Sequence, residues 1–355
     1  MGLNQVPACV GWVKRQRTAT DSSQNRLGCW RRIGGSIATL ALIGGIYTAL
    51  RFQPIDSSQT TTSVTPSSTL QPKNSPKLTP SSATATLKTF ADWCLNKNEL
   101  PPSQHHTIDV LMKEVEAQDC TQAEKKLSVL TVLELKDKKI VDVAPLSSLK
   151  NLEKLNLDPN QINDVSPLSS LINLKELVLS GNNQIKNLSS LSSLPNLMKL
   201  HLDRNKVDVR QLLSLSNLTN LSVSQASIEN INLLSSLTNL TELHLIGNSI
   251  KDISPLGSLT RLTYLDLSNN QIKDVSSLSN LKSLKVLQLN GNPLVDVAPL
   301  SSLTNLKDLY LKNSSIKDLS PLSSLTNLEH LYLTGNPIAN KTCPVLDPQN
   351  KTCVF

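Results

Sequence analysis

The sequence predicts a right-handed α/β solenoid of about ten stacked units, with a helical N-terminal cap and one transmembrane helix ahead of it. Three observations predict it. Leucine opens a unit at 130, 152, 174, 197, 218, 240, 262, 284, 306 and 328, a stride of 22 residues broken only by one step of 23 and one of 21. The chain is 39% hydrophobic but only 3% aromatic, so its core must be aliphatic. Residues 33–50 form an 18-residue run without a charge, behind a basic leader.

The formal charge of +7 is unevenly placed: residues 1–88 carry +8 and residues 89–355 carry −1. The bulk of the chain therefore lacks the general phosphate attraction on which nucleic-acid binding rests. Residues 1–32 read as a cytoplasmic basic tail, with Lys14, Arg15, Arg17, Arg26, Arg31 and Arg32 against Asp21 alone. The run 33–50 covers roughly 27 Å as a helix, close to the hydrocarbon thickness of a bilayer. The positive charge before it places the N-terminus in the cytoplasm and the rest of the chain outside it, in the periplasm or at the cell surface. A cleaved signal peptide fits less well. Cleavage after Ala49 or Thr48 leaves Tyr47 or Ile46 where a small residue is required. Cys9 and Cys29 both precede the apolar run, which argues against a lipoprotein anchor.

Residues 51–88 read as a disordered linker. From 53 to 88 there are eight Ser, eight Thr and five Pro, too little apolar surface to offset the entropy of ordering. Such a stretch is a stalk or a plain spacer.

Residues 89–129 predict a helical cap. Ile108, Leu111, Met112 and Val115 fall at helical spacing after Pro101-Pro102-Ser103, with Ser103 expected as the cap residue. Thr121 and Glu124 have the spacing of a capping box for a second short helix. Phe90 and Trp93 add ring surface nearby.

Residues 130–340 hold the repeats, each written L-x-x-L-x-L-x-x-N-x-I and often followed by P-L-S-S-L-T-N. In L-x-L the two leucines point to one side of a short strand. Strands of successive units then pair in parallel about 4.8 Å apart. No unit buries its leucines alone, but stacked units share a continuous core. Asn160, Asn182, Asn205, Asn248, Asn270, Asn292 and Asn336 stand where the chain leaves the strand, placed to satisfy buried backbone groups. Lys138, Ala226 and Ser314 interrupt that series and predict weak points. Ser-Pro at 166, 254 and 320 suggests a serine N-cap before a short 3₁₀ turn on the outer side. The extra residue near Asn182-Asn183 is expected to be absorbed in a turn.

Residues 341–355 predict a C-terminal cap. Cys94, Cys120, Cys343 and Cys353 lie only at the two ends of the repeats. Three pairings exist; outside the cytoplasm they read as disulfides Cys94–Cys120 and Cys343–Cys353, because the other two would tie opposite ends of a strip about 45 Å long. His105 and His106 near the first pair do not give a known metal spacing, and no metal or cofactor is expected.

These units resemble the leucine-rich repeat, specifically the 22-residue type of bacterial internalins and of a eukaryotic phosphatase-regulator family. The resemblance covers residues 130–340 and is specific for fold, far less so for function. It implies a horseshoe with a parallel concave sheet, preceded as in bacterial surface repeat proteins by a helical cap.

Positions three, five and seven of each unit flank inward leucines and so face the concave side. All three head tyrosines, Tyr264, Tyr310 and Tyr332, fall there, as do His201, His244 and His330. Ile246, Lys312 and Asp266 join them as candidate contacts. Aromatic residues with scattered apolar neighbours on a polar surface mark binding surfaces, although tyrosine also simply favours strands. Tyr310 and Tyr332 occupy equal positions of adjacent strands and should stack. His201 and His244 lie two strands apart, about 9.6 Å, with Ser222 between, too far to share a metal ion without a third ligand. No nucleotide, dinucleotide, zinc-peptidase or esterase motif occurs. The expectation is a non-enzymatic, membrane-tethered protein that recognises a protein or another surface ligand. The alternatives are an intracellular scaffold like the phosphatase regulators, or a structural envelope component.

Overall fold

The computed structural model describes residues 87–345 and 352–355. The basic tail, the apolar run 33–50 and nearly all of the linker lie outside the described residues. Among the described residues no helix is long and apolar enough to cross a membrane.

Ten units stack in sequence order, each contributing one three-residue strand. The strands are β1 (Val132–Glu134), β2 (Lys154–Asn156), β3 (Glu176–Val178), β4 (Lys199–His201), β5 (Asn220–Ser222), β6 (Glu242–His244), β7 (Tyr264–Asp266), β8 (Val286–Gln288), β9 (Asp308–Tyr310) and β10 (His330–Tyr332). All pair in parallel, leucine beside leucine, as in Leu243↔Leu265. An eleventh strand, β11 (Thr352–Val354), extends the sheet from the C-terminal cap, with Cys353 where a repeat has its leucine. Ten strands were expected; T-C-V carries none of the repeat's leucines, which hid the last one. Each of the first nine units returns through a 3₁₀ turn on the side opposite the sheet, from Ala144–Ser148 to Ser320–Ser324 among the described residues.

The core is one aliphatic column from Phe90 to Val345. Its leucines are almost wholly buried, Leu265 and Leu287 at 0% exposed, and each stabilises the fold by about 1.5–3 kcal/mol. Asparagine supplies the polar complement. Asn270 Nδ2 donates to the carbonyls of Leu245 and Leu267, and its Oδ1 accepts from the Ile250 amide. Asn160, Asn182, Asn248, Asn292 and Asn336 repeat the pattern. The interruptions are visible. Ser314 Oγ is buried without a partner, and the Leu294 amide turns to the Asn292 carbonyl instead. The inserted residue is absorbed in the turn after β3, where the Ile185 amide bonds the Asn182 carbonyl. Its cost falls on the next unit, in which Asn205 Oδ1 has no hydrogen-bond partner. Just after the strand the backbone turns left-handed, at Gly247, Asn269, Gly291, Asn313 and Gly335 among others. At Gly335 a side chain would also strike Asn313, since an added Cβ would sit against its Oδ1.

The 3₁₀ turns are not capped by serine. The residue before Pro is already inside the turn, and no side-chain bond comes from the N-cap. The cap is the acid or amide two residues earlier: Asp164, Asp252, Asp274 and Asp318 each accept the amide of the following serine at 2.8 Å. Asn187 and Asn230 act likewise. The serine amide first at Asp252 and Asp318, and the Ser276 hydroxyl and then its amide at Asp274, hold these carboxyls below the ordinary aspartate value. A lowered folded-state pKa favours the fold above the ordinary value, and that contribution is lost as pH falls through the lowered one. Two further ladders run along the stack. Asn173, Asn196, Asn239, Asn305 and Asn327 each donate to a carbonyl one unit back. Ser258 and Ser302 do the same on the turn side.

Three helices close the first unit: α1 (Phe90–Leu95), α2 (Pro102–Glu114) and α3 (Cys120–Leu127). Two expected caps are displaced. Ser103 lies inside α2, which starts behind Pro101 with no side-chain cap. Asp119, not Thr121, caps α3, while Glu124 accepts the Ala91 amide of α1 at 2.9 Å. Thr89 and Asp92 form the true capping box, on α1. Thr107 Oγ1 of α2 donates to the Asp142 carbonyl at 2.6 Å and docks the cap on the first repeat. The disulfides Cys94–Cys120 and Cys343–Cys353 are both formed, one joining α1 to α3 and the other securing β11.

Replacing Asn270 by Ala orphans two carbonyls and an amide and is expected to destabilise the fold by about 2–4 kcal/mol in guanidinium denaturation. Ser314→Asn should restore the missing rung and gain about 1 kcal/mol. A neutral result for both would contradict the ladder's role.

Candidate functional site

The sheet face carries positions three, five and seven in strict register, so side chains from neighbouring units meet in rows. In the last two units the predicted pair forms: Tyr310 and Tyr332 stack with ring centroids 4.7 Å apart and planes 8° from parallel. His330 lies nearly parallel beside Tyr332 at 6.4 Å, and its Nδ1 is 2.6 Å from Asp308 Oδ1. Lys312 Nζ stands 4.7 Å over the Tyr332 ring, a cation–π contact. Four of the predicted residues thus form one patch, with Asp308 orienting the imidazole.

A second group lies near the middle. The His244 ring sits 4.8 Å from the Tyr264 ring, tilted by 37°, and its Nε2 is 2.7 Å from Glu242 Oε1. Gln288 Nε2 donates to the Tyr264 hydroxyl at 2.6 Å. Burial, and then the charges of Asp266 and Glu242, push the Tyr264 phenol up to about 12. Burial also raises Tyr310. Asp266 is only 4% exposed, and its carboxylate accepts the Ser268 amide, so it shapes the strand exit and offers little surface to a partner.

His201 and Ile246 join neither group. They line an open groove of about 550 Å³ with Asp203, Ser222, Ser224, Glu242 and His244. Burial pushes the His201 imidazole below its ordinary value, against the opposing pull of Asp203 and Glu176. Asp203 is the hub the sequence reading passed over. Its Oδ1 accepts from Ser222 Oγ at 2.5 Å and from the Ser224 amide at 2.7 Å. Position seven of unit four marks it as facing this surface, but only the short serines of the next unit reveal its partners. Among the described residues no group of His, Cys, Asp and Glu stands ready to hold a metal ion.

The family model for leucine rich repeats, in two copies, matches residues 260–303 and 304–346. An internalin, inlF of Listeria monocytogenes, is similar at 29% identity with a TM-score of 0.57, over 69% of this chain and 79% of its own. Internalin C2 of the same species shows 30% identity and a TM-score of 0.49, over 64% of this chain and 91% of its own. The Arabidopsis receptor kinase HAESA, solved with the peptide hormone IDA and the co-receptor SERK1, shares the fold at 24% identity and a TM-score of 0.52, over 70% of this chain and 46% of its own. No curated protein sequence gives a match. The chain carries leucine-rich repeats, similar to those of an internalin.

Burial pushes the Tyr264 phenol up to about 12, above the ordinary tyrosine value. Stability gained from the neutral phenol is therefore present below about pH 10 and lost as pH rises through the folded value. An ultraviolet titration should show a tyrosine phase near pH 12 that Tyr264→Phe removes, while the raised phase of Tyr310 remains; a phase near pH 12 that persists in that variant would contradict the assignment.

Proposed function

We propose that this chain is a non-enzymatic recognition protein, tethered to a membrane by residues 33–50, whose sheet face binds a protein ligand outside the cytoplasm. The observation that carries this reading is the Tyr310–Tyr332 stack with Lys312 and His330 beside it, presented on a rigid parallel sheet. Rigid aromatic anchors lose little entropy on binding and dominate interface energetics. The sheet places them in fixed rows, and the turns and caps on the other sides leave them uncovered. Both ends are closed by disulfides, which persist in oxidising compartments, and this favours an extracytoplasmic head over an intracellular scaffold.

The test joins binding and location. A ligand captured by the full chain should bind the Tyr310→Ala/Tyr332→Ala variant at least about tenfold more weakly, with the fold intact. Unchanged affinity would favour a structural envelope role. On the native chain Cys9 and Cys29 should label with a thiol reagent at once, and the four paired cysteines only after reduction; immediate labelling of all six would speak for the intracellular alternative.

A further inference from the structure

The sheet face has a gap in its row of rings. Position five reads His201, Ser222 and His244 on β4, β5 and β6, which pair in direct register. His244 already packs against the Tyr264 ring of β7, tilted by 37° to it. Above Ser222 there is no ring, only a short hydroxyl turned down to Asp203. Two strand spacings separate the flanking imidazoles, about 9.6 Å. That leaves room for one flat group in contact with both rings, and the groove of about 550 Å³ opens there.

The surroundings select the charge of that group. Asp203 is fixed by Ser222 and Ser224, while its Oδ2 has only a 3.5 Å contact to Ser180 Oγ. Glu242 stands on the opposite wall, its Oε1 beside His244 and its Oε2 accepting from Asn220 Nδ2. The one guanidinium or ammonium lining the groove, that of Arg204, is engaged by Asp158 at 3.0 Å. A planar cation with several donors meets both conditions. Guanidinium stacks flat on rings and pairs with carboxylates through a rigid fork, whereas an ammonium acts as a point charge without that planar geometry.

We propose that the slot above Ser222, between His201 and His244, receives an arginine side chain of the protein ligand. This rests on the reading of the sheet face as the ligand surface and names the chemistry it selects.

The test uses the full chain with labelled histidines and two probes, N-acetyl-arginine amide and N-acetyl-lysine amide. Imidazole NMR signals of His201 and His244 should shift saturably with the arginine compound, while His330 stays still. The lysine compound should bind several-fold more weakly. Ser222→Phe should fill the slot and abolish the response; Tyr at the same position of β9 and β10 shows that the sheet accepts a ring there. Should that variant fail to fold, Glu242→Gln decides, with binding about tenfold weaker expected from loss of the charge. Equal response to both probes, no saturable shift, or an unaffected Glu242→Gln variant overturns the proposal. The Tyr310→Ala/Tyr332→Ala variant should keep the arginine response. If it loses the protein ligand while the probes never bind, the face remains the ligand surface and the slot assignment alone fails.

Discussion

The structure depends on a backbone that must be buried between leucine layers without leaving its polar groups unpaired. At the repeat strand exits the chain passes through the column, and the backbone bonds between units there, such as Gln271 to the Ile250 carbonyl, satisfy only part of its polar groups. An asparagine side chain, with two donors and an acceptor on one short stem, bridges its own unit and the one before it. Asn270 shows the full set, bonding Leu245, Leu267 and Ile250 at once. Aspartate would lack the donors and glutamine would overreach. The stride of 22 residues is tolerated because this one side chain converts each layer's surplus of polar groups into a bond to its neighbour. Where the side chain is absent, as at Ser314, or where the stride slips, as before Asn205, a buried polar atom is left alone.

That division of labour frees the sheet face. Stability resides in inward leucines, in asparagine, and in the Asn and Ser ladders along the outer sides. Positions three, five and seven carry a smaller share, through local bonds such as Asp266 to the Ser268 amide, and differ from unit to unit. The rows they form have fixed spacing, so a partner meets rings and carboxylates at multiples of the strand separation. Tyr310 with Tyr332 is one product of this rule and the gap above Ser222 is another; His244 meets Tyr264 diagonally, across positions five and three.

Much of this was legible in the residues. Alternation of leucine with polar residues located every repeat strand, and equal positions in adjacent units implied the tyrosine stack. Confinement of cysteine to the ends implied both disulfides. What escaped had no periodic marker or a misleading one. Ser-Pro looks like a cap and a first turn, yet the serine amide is the one being capped, by the aspartate two residues before it. β11 lacks leucine and is located by pairing and by its disulfide. The role of Asp203 depends on Ser222 and Ser224, whose meaning lies in being small, and a pattern of large residues does not show that.

Peptide-resolved hydrogen exchange of the folded chain tests the central claim most directly. If asparagine rungs hold the layers, the amides of Ile162, Ile250, Ile272 and Ile316, which bond to the next unit's asparagine, will exchange as slowly as the strand amides. In Asn270→Ala, protection should fall at Ile250 and spread to the adjoining units. Rapid exchange at all four positions in the unaltered chain, with the strands still protected, would contradict the account.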